Sequence, residues 1–207
     1  MSHKAMVLVC GALLLAVGCS KKEHTMTTDS AAGAMTPSGS DTGKTTAYTA
    51  PNANADTVRL SDANIIAKME GGDSSEVAIA TFARTKATNA GVKSYAAMLI
   101  NDHKKALSDA KALEKKTSIN AQTPPNDTTD QATSHVLDRL KSIAKGTAFD
   151  TAFVNHEVED HQHDISDTQS MMGAAQNADV KSALQKSLPV LQKHLNRAQE
   201  LQGQLGK

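Results

Sequence analysis

Cysteine is almost missing. Cys10 and Cys19 are the only two in 207 residues, and both lie within the first 19. A chain cleaved just ahead of Cys19 keeps one thiol, so no internal disulfide can hold the fold and packing alone must do so. Tryptophan is absent, and two Tyr with three Phe bring aromatics to only 2%. So small a supply disfavours a stacking platform for single-stranded nucleic acid or sugars. It also disfavours a β-sandwich, which draws on aromatic and β-branched residues. Net charge is absent too, since 22 Lys and Arg balance 22 Asp and Glu. The strongly basic footprint of a nucleic-acid-binding domain is therefore missing, and no nucleic-acid partner is expected. There is no Ser-His-Asp or Cys-His set and no Gly-rich phosphate loop. The abundant residues are Ala, Lys, Leu, Gln, Asp and Thr, which suit helices and polar linkers.

The amino terminus reads as an address. Lys4 supplies positive charge, and residues 5–18 are uncharged and mostly apolar. That length fits the apolar region of a signal peptide and falls short of the ~20 residues of a membrane span. The stretch ends in Ala16-Val17-Gly18-Cys19, which resembles the lipobox of bacterial lipoproteins, with Ala16 where Leu is usual. Residues 1–18 are thus expected to be a lipoprotein signal peptide, with an ordinary secretory signal as the alternative. Cys19 is the expected lipidation site and membrane anchor, each buried CH₂ of its acyl chains contributing about 0.8 kcal/mol. Ser20 follows it, and similarity to lipoprotein sorting signals then implies the outer membrane, facing the periplasm.

Residues 20–57 contain no Leu, Ile, Val or Phe. Such a stretch cannot bury enough apolar area to offset its ordering entropy, so residues 19–59 are expected to be a disordered tether. From Leu60 the pattern becomes helical, and residues 60–207 are the expected folded domain. Asp62 can cap a helix with the stripe Ile65, Met69, Gly72, Ile79, Ala80, Ala83 and Ala87. Gly71-Gly72 weakens its middle by about 1 kcal/mol per Gly, enough for a break with Ser74 or Ser75 as a new cap. Asn89 caps a second helix to about Lys116, and Pro124-Pro125 lies in a loop. A short helix follows, stopped at Gly146. Thr147 or Asp150 opens a third long helix to about Met172, and Asn177 or Asp179 a fourth to about Leu205. Pro189 inside that last helix predicts a kink ahead of His194. No strand-like alternation is present. The expected fold is all-α, an antiparallel four-helix bundle with an extra short helix in the middle crossover.

Polar residues interrupt the apolar stripes. His103 falls in the stripe of Tyr95, Leu99, Ile100 and Ala106, and His161 in that of Phe153, Val154, Val158 and Ile165. His194 falls with Leu184, Leu191, Ala198 and Leu201, and Glu76 with Ile65, Met69, Ile79 and Ala83. Each long helix therefore presents one metal-competent side chain inward. Glu76 lies 13 residues before Asn89 and His103 lies 14 after it, while His161 and His194 lie 16 before and 17 after Asn177. If both turns share one end of an up-down-up-down bundle, all four residues lie about 20–25 Å from it, level within one helical turn. Unpaired buried polar groups cost several kcal/mol, so the four must satisfy one another or a cation. Two readings stay open: a metal-free polar layer, or one divalent ion (Zn, Cu or Fe) on Glu76, His103, His161 and His194. The dense run from His156 to His163 contains His156/Asp160 and Glu159/His163 pairs that could chelate, but reads first as a solvated face. His135 reads as exposed, and His3 and His24 lie in the signal and the tether.

At these residues the chain resembles a bacterial family. Glu76-Val77, Ala83, Val92-Lys93, Tyr95-Ala96, Met98, Asp102-His103, Phe149-Asp150, Phe153, His161, Leu188-Pro189 and His194-Leu195 are similar to domain-of-unknown-function family 4142. The resemblance covers about Asp62 to Gln202. It implies a ferritin-like bundle in the cell envelope, and no established activity. Di-iron carboxylate bundles carry Glu-x-x-His motifs, whereas Ile100, Val158 and Leu191 stand three places before the core histidines. That departure argues against a di-iron oxidase and favours a mononuclear His-rich site. The leading functional expectation is a non-enzymatic envelope lipoprotein that binds a metal or a protein. The alternatives are a mononuclear metalloenzyme acting on oxygen species or a small periplasmic substrate, and a purely structural or stress-related envelope protein.

Overall fold

Ser61 caps the first helix, α1 (Asp62–Lys86), in a computed structural model that describes residues 60–206. The expectations for the signal peptide, for Cys19 and for the tether fall outside those residues. The Ser61 hydroxyl accepts from the Asn64 N–H, and the Asn64 side chain accepts from the Ser61 N–H. This reciprocal box satisfies two otherwise orphaned donors. Asp62 is therefore not the cap. Its carboxylate instead accepts from the N–H groups of Gln176 and Asn177, both at 2.9 Å. Nor do Gly71 and Gly72 interrupt α1. The helix packs along its length against its neighbours, and that packing outweighs the two glycine penalties.

Asn89 caps α2 (Ala90–Thr117) through the N–H groups of Gly91 and Val92, as the sequence predicts. A loop with Pro124-Pro125 leads to α3 (Thr129–Ser142), which ends before Gly146. Gly146 instead precedes α4 (Thr147–Ala174) at φ +139°, a conformation side-chain-bearing residues rarely adopt. Asn177 caps α5 (Ala178–Leu205), which continues through Pro189. Among the described residues all regular structure is helical, and no helix is long and apolar enough to cross a membrane.

The expected up-down-up-down order requires correction. Asp150, at the start of α4, accepts from the Thr88 N–H and hydroxyl and from the Asn89 N–H, at 3.0, 2.5 and 2.8 Å. Asp62, at the start of α1, holds the α4–α5 turn. The two turns thus lie at opposite ends, and α3 forms part of a long crossover that returns along α1. The sequence placed the polar residues at one level on a wrong premise, and the level survives. Glu76 and His103 lie 13 and 14 residues from Asn89, and His161 lies 11 beyond Asp150, at the same end. His194 lies 11 short of Leu205, where α5 arrives there. The residues sit near mid-helix, so counting from either end gives nearly the same height.

The core is in two parts. Tyr95, Leu99, Phe149, Phe153, Leu195 and Leu201 belong to the larger. Ile65, Ile66, Leu113, Met171, Val180 and Leu184 form the smaller. The polar level lies between them. Removing the buried Asp150 carboxylate would take away the acceptor of three donors on Thr88 and Asn89, at about 1 kcal/mol each. Asp150→Ala is expected to lower the melting temperature by about 6–12 °C, taking 2–4 °C per kcal/mol. Asp150→Asn, which keeps one acceptor oxygen, should lose less than half of that by circular dichroism. Equal losses would show that the carboxylate's hydrogen bonds are not the cause.

Candidate metal centre

All four sequence-predicted residues are buried, and the three histidines come together. Each of His103, His161 and His194 offers a nitrogen within 4.8 Å of the other two. Their ring centroids are separated by 6.0, 5.1 and 5.2 Å. Glu76 stands at the margin, its Oε2 4.0 Å from His103 Nε2. It groups instead with Glu157 and His161, and again with His156 and Asp160. The predicted set is thus one close histidine triad with Glu76 linking it to further carboxylates.

Each histidine is held from outside by an oxygen. His103 Nδ1 donates to Asp73 Oδ1 at 2.8 Å, and His194 Nε2 to Asp102 Oδ2 at 3.0 Å. His161 Nδ1 donates to the Glu157 backbone carbonyl one turn earlier, at 3.0 Å. These contacts place each ring proton on the outer nitrogen, as outer-shell oxygens do for metal-bound histidines. The inner nitrogens are then lone pairs. His161 Nε2 and His194 Nδ1 face each other at 3.2 Å with no proton left to share, and His103 Nε2 is buried without a partner. Charging a ring is no remedy. Burial and then the neighbouring imidazoles hold His161 down to about 3. Burial likewise lowers His194 to about 4, against the opposing hydrogen bond that it donates to Asp102.

The carboxylates beside the triad are equally unsatisfied. Both oxygens of Glu76 and both of Glu157 are buried without a hydrogen bond, as are the Tyr95 hydroxyl and His156 Nε2. Burial first, and then the charge of Glu157, Asp160 and Asp164, pushes Glu76 well above the usual carboxylate range. Burial and Asp160 do the same to Glu157. Burial, Glu157 and Glu76 hold the Tyr95 hydroxyl protonated.

The sequence reading missed Glu157 and misplaced His156. Both fall in the run that reads as a solvated face, yet Glu157 is 0% and His156 8% exposed. A signal existed, because Glu157 lies four residues after Phe153 and four before His161, on their stripe. Asp73 and Asp102, the outer partners, carry no such signal. His135 is exposed as expected, and so is His163, which with Glu159 takes no part in the centre. Two grooves reach the site. One of 710 Å³ runs past Asp73, Asp102 and His103, and one of 360 Å³ past Asp73, His103, Asp160 and Asp164.

No curated protein and no solved structure matches the chain. One family model, described as Domain of unknown function (DUF4142), matches residues 47–201, which takes in α1 to α4 and nearly all of α5 together with every residue of the centre. By the extent of that match, the chain belongs to the DUF4142 family.

Proposed function

We propose that this domain is a metal-binding module of the cell envelope, holding one divalent ion on His103, His161 and His194 with Glu76 as the neighbouring carboxylate. The observation that carries the reading is the pair of inward lone pairs, His161 Nε2 and His194 Nδ1, 3.2 Å apart. Two ligands of a tetrahedral ion at 2.0–2.1 Å stand about 3.4 Å apart, so an ion needs little rearrangement there. Imidazole nitrogens suit Zn, Cu or Fe(II). A buried dication also supplies the counter-charge that Glu76 and Glu157 lack. Calorimetric titration of untagged, chelator-stripped protein with Zn²⁺, Cu²⁺ and Fe²⁺ tests this. Binding tighter than about 10 μM, roughly 7 kcal/mol, is expected for at least one, and weaker binding for all three would end the reading.

A second reading, an enzyme acting on a small molecule at this ion, is favoured by the two grooves that reach His103 and Asp73. Turnover of a substrate by metal-loaded but not stripped protein would distinguish it from storage or structural binding.

The envelope part of the proposal rests on Ala16-Val17-Gly18-Cys19 and the apolar run before it. Acyl chains on Cys19 would anchor the protein to a membrane, with the outer membrane favoured by Ser20. Cys19→Ser is expected to move most of the protein from the membrane pellet to the soluble fraction. A pellet that keeps the variant through salt washing contradicts lipidation at this residue.

A further inference from the structure

Glu76 belongs to a second group besides the one it forms with Glu157 and His161. With His156 and Asp160 it offers three potential ligand atoms within 4.8 Å of one another. His156 and Asp160 are one helical turn apart on α4, so their side chains project along the same face. Glu76 comes to them from α1. His156 Nε2 and both Glu76 oxygens are buried and unpartnered. Asp160 is half-buried and lines the smaller groove, which gives the group a route to solvent.

A proton on Glu76 can bridge it to only one of these neighbouring groups at a time. A neutral His156 offers a lone pair at whichever ring nitrogen carries no proton. A single cation would satisfy the imidazole nitrogen and both carboxylates together.

We propose that Glu76, His156 and Asp160 form a second cation site, beside the histidine triad and touching it only through Glu76. The second site rests on the triad reading only in sharing that residue. Its donors are two carboxylates and one imidazole, a harder set than the triad and better suited to Mn²⁺ or Fe²⁺ than three imidazoles are. Glu157, unpartnered between the two groups, supplies further negative charge. The centre thus becomes two-cation, although the Glu-x-x-His pattern is missing at every core histidine.

The test uses the full chain, stripped of metal and loaded with one equivalent of Zn²⁺. Mn²⁺ is then titrated and free ion is followed by its electron paramagnetic resonance signal. One further equivalent of Mn²⁺ is expected to bind. Asp160→Asn and His156→Gln should each weaken Mn²⁺ binding at least 10-fold and leave the Zn²⁺ stoichiometry at one. Asp160 is only half-buried, so its Asn variant is expected to fold, and the melting temperature checks it. Zn²⁺ binding without Mn²⁺ binding overturns the second site and spares the first. Mn²⁺ binding that both variants retain overturns the ligand assignment. Mn²⁺ binding lost in both variants, in protein that takes no Zn²⁺, supports the second site and overturns the triad.

Discussion

Zinc is expected to raise the melting temperature of the stripped protein by about 10 °C, and His161→Gln to abolish that rise. A ligand at 1,000 times its dissociation constant adds about 4 kcal/mol to a fold that alone binds it. At 2–4 °C per kcal/mol the shift is about 8–16 °C for a domain of this size. His161 is the informative position because it is fully buried, shares the 3.2 Å contact with His194, and keeps its outer proton on a backbone carbonyl. Glutamine retains most of the volume, so the comparison is the zinc response within each protein. A metal-free polar layer predicts the opposite pattern. The wild type would then melt at one temperature with or without zinc, and the substitution would cost little beyond one hydrogen bond, about 1 kcal/mol.

Between pH 6.5 and 8 the stripped protein is expected to lose stability while the zinc-loaded protein gains it. The folded values of Glu76 and Glu157 lie above their unfolded ones. Their contribution is complete below the unfolded value of about 4.3 and is lost as pH rises through the folded values. Half-buried Asp164, pushed up to about 8 by burial and neighbouring carboxylates, acts in the same direction. His161 and His194 have the opposite sign. Lowered to about 3 and about 4, they contribute fully above the unfolded value and lose it as pH falls toward those figures. Above pH 6.5 the carboxylates therefore govern the metal-free protein. Bound zinc reverses the slope, since its ligands must be deprotonated and each proton removed favours the complex. Urea denaturation at pH 6.5, 7.25 and 8, with chelator or with zinc, measures both slopes. Parallel curves would contradict a cation at this level.

The elements were legible where local chemistry decides them. Asn89 and Asn177 cap the helices expected of them, and the long apolar stripes run to within a few residues of their predicted ends. Topology was not legible, because it depends on where Asp62 and Asp150 find partners 61 to 115 positions away in sequence. Each Asp reads locally as a helix start, while its carboxylate closes a distant turn. The triad and Glu76 were visible because a lone polar residue on an apolar stripe is conspicuous. Glu157 and His156 were hidden by their charged neighbours, and by the breadth of α4's buried face, which runs from Phe153 and Val154 through His156, Glu157 and Val158 to His161. Gly71 and Gly72 mislead for a related reason: propensity is local, and α1 is held by what packs against it.

The arrangement of the centre across two hairpins has a kinetic meaning. Glu76 and His103 belong to α1–α2, and His161 and His194 to α4–α5. Each hairpin closes over a short turn, so it can form early from neighbouring residues. The four residues meet only once the hairpins have docked. An ion can then do little to hasten either hairpin, and its binding energy appears after the main barrier. Metal should accordingly act as a rivet, leaving the folding rate almost unchanged and slowing unfolding in proportion to its affinity. Where proteases are present, a metal-bound protein of this kind would owe its lifetime to occupancy more than to folding speed.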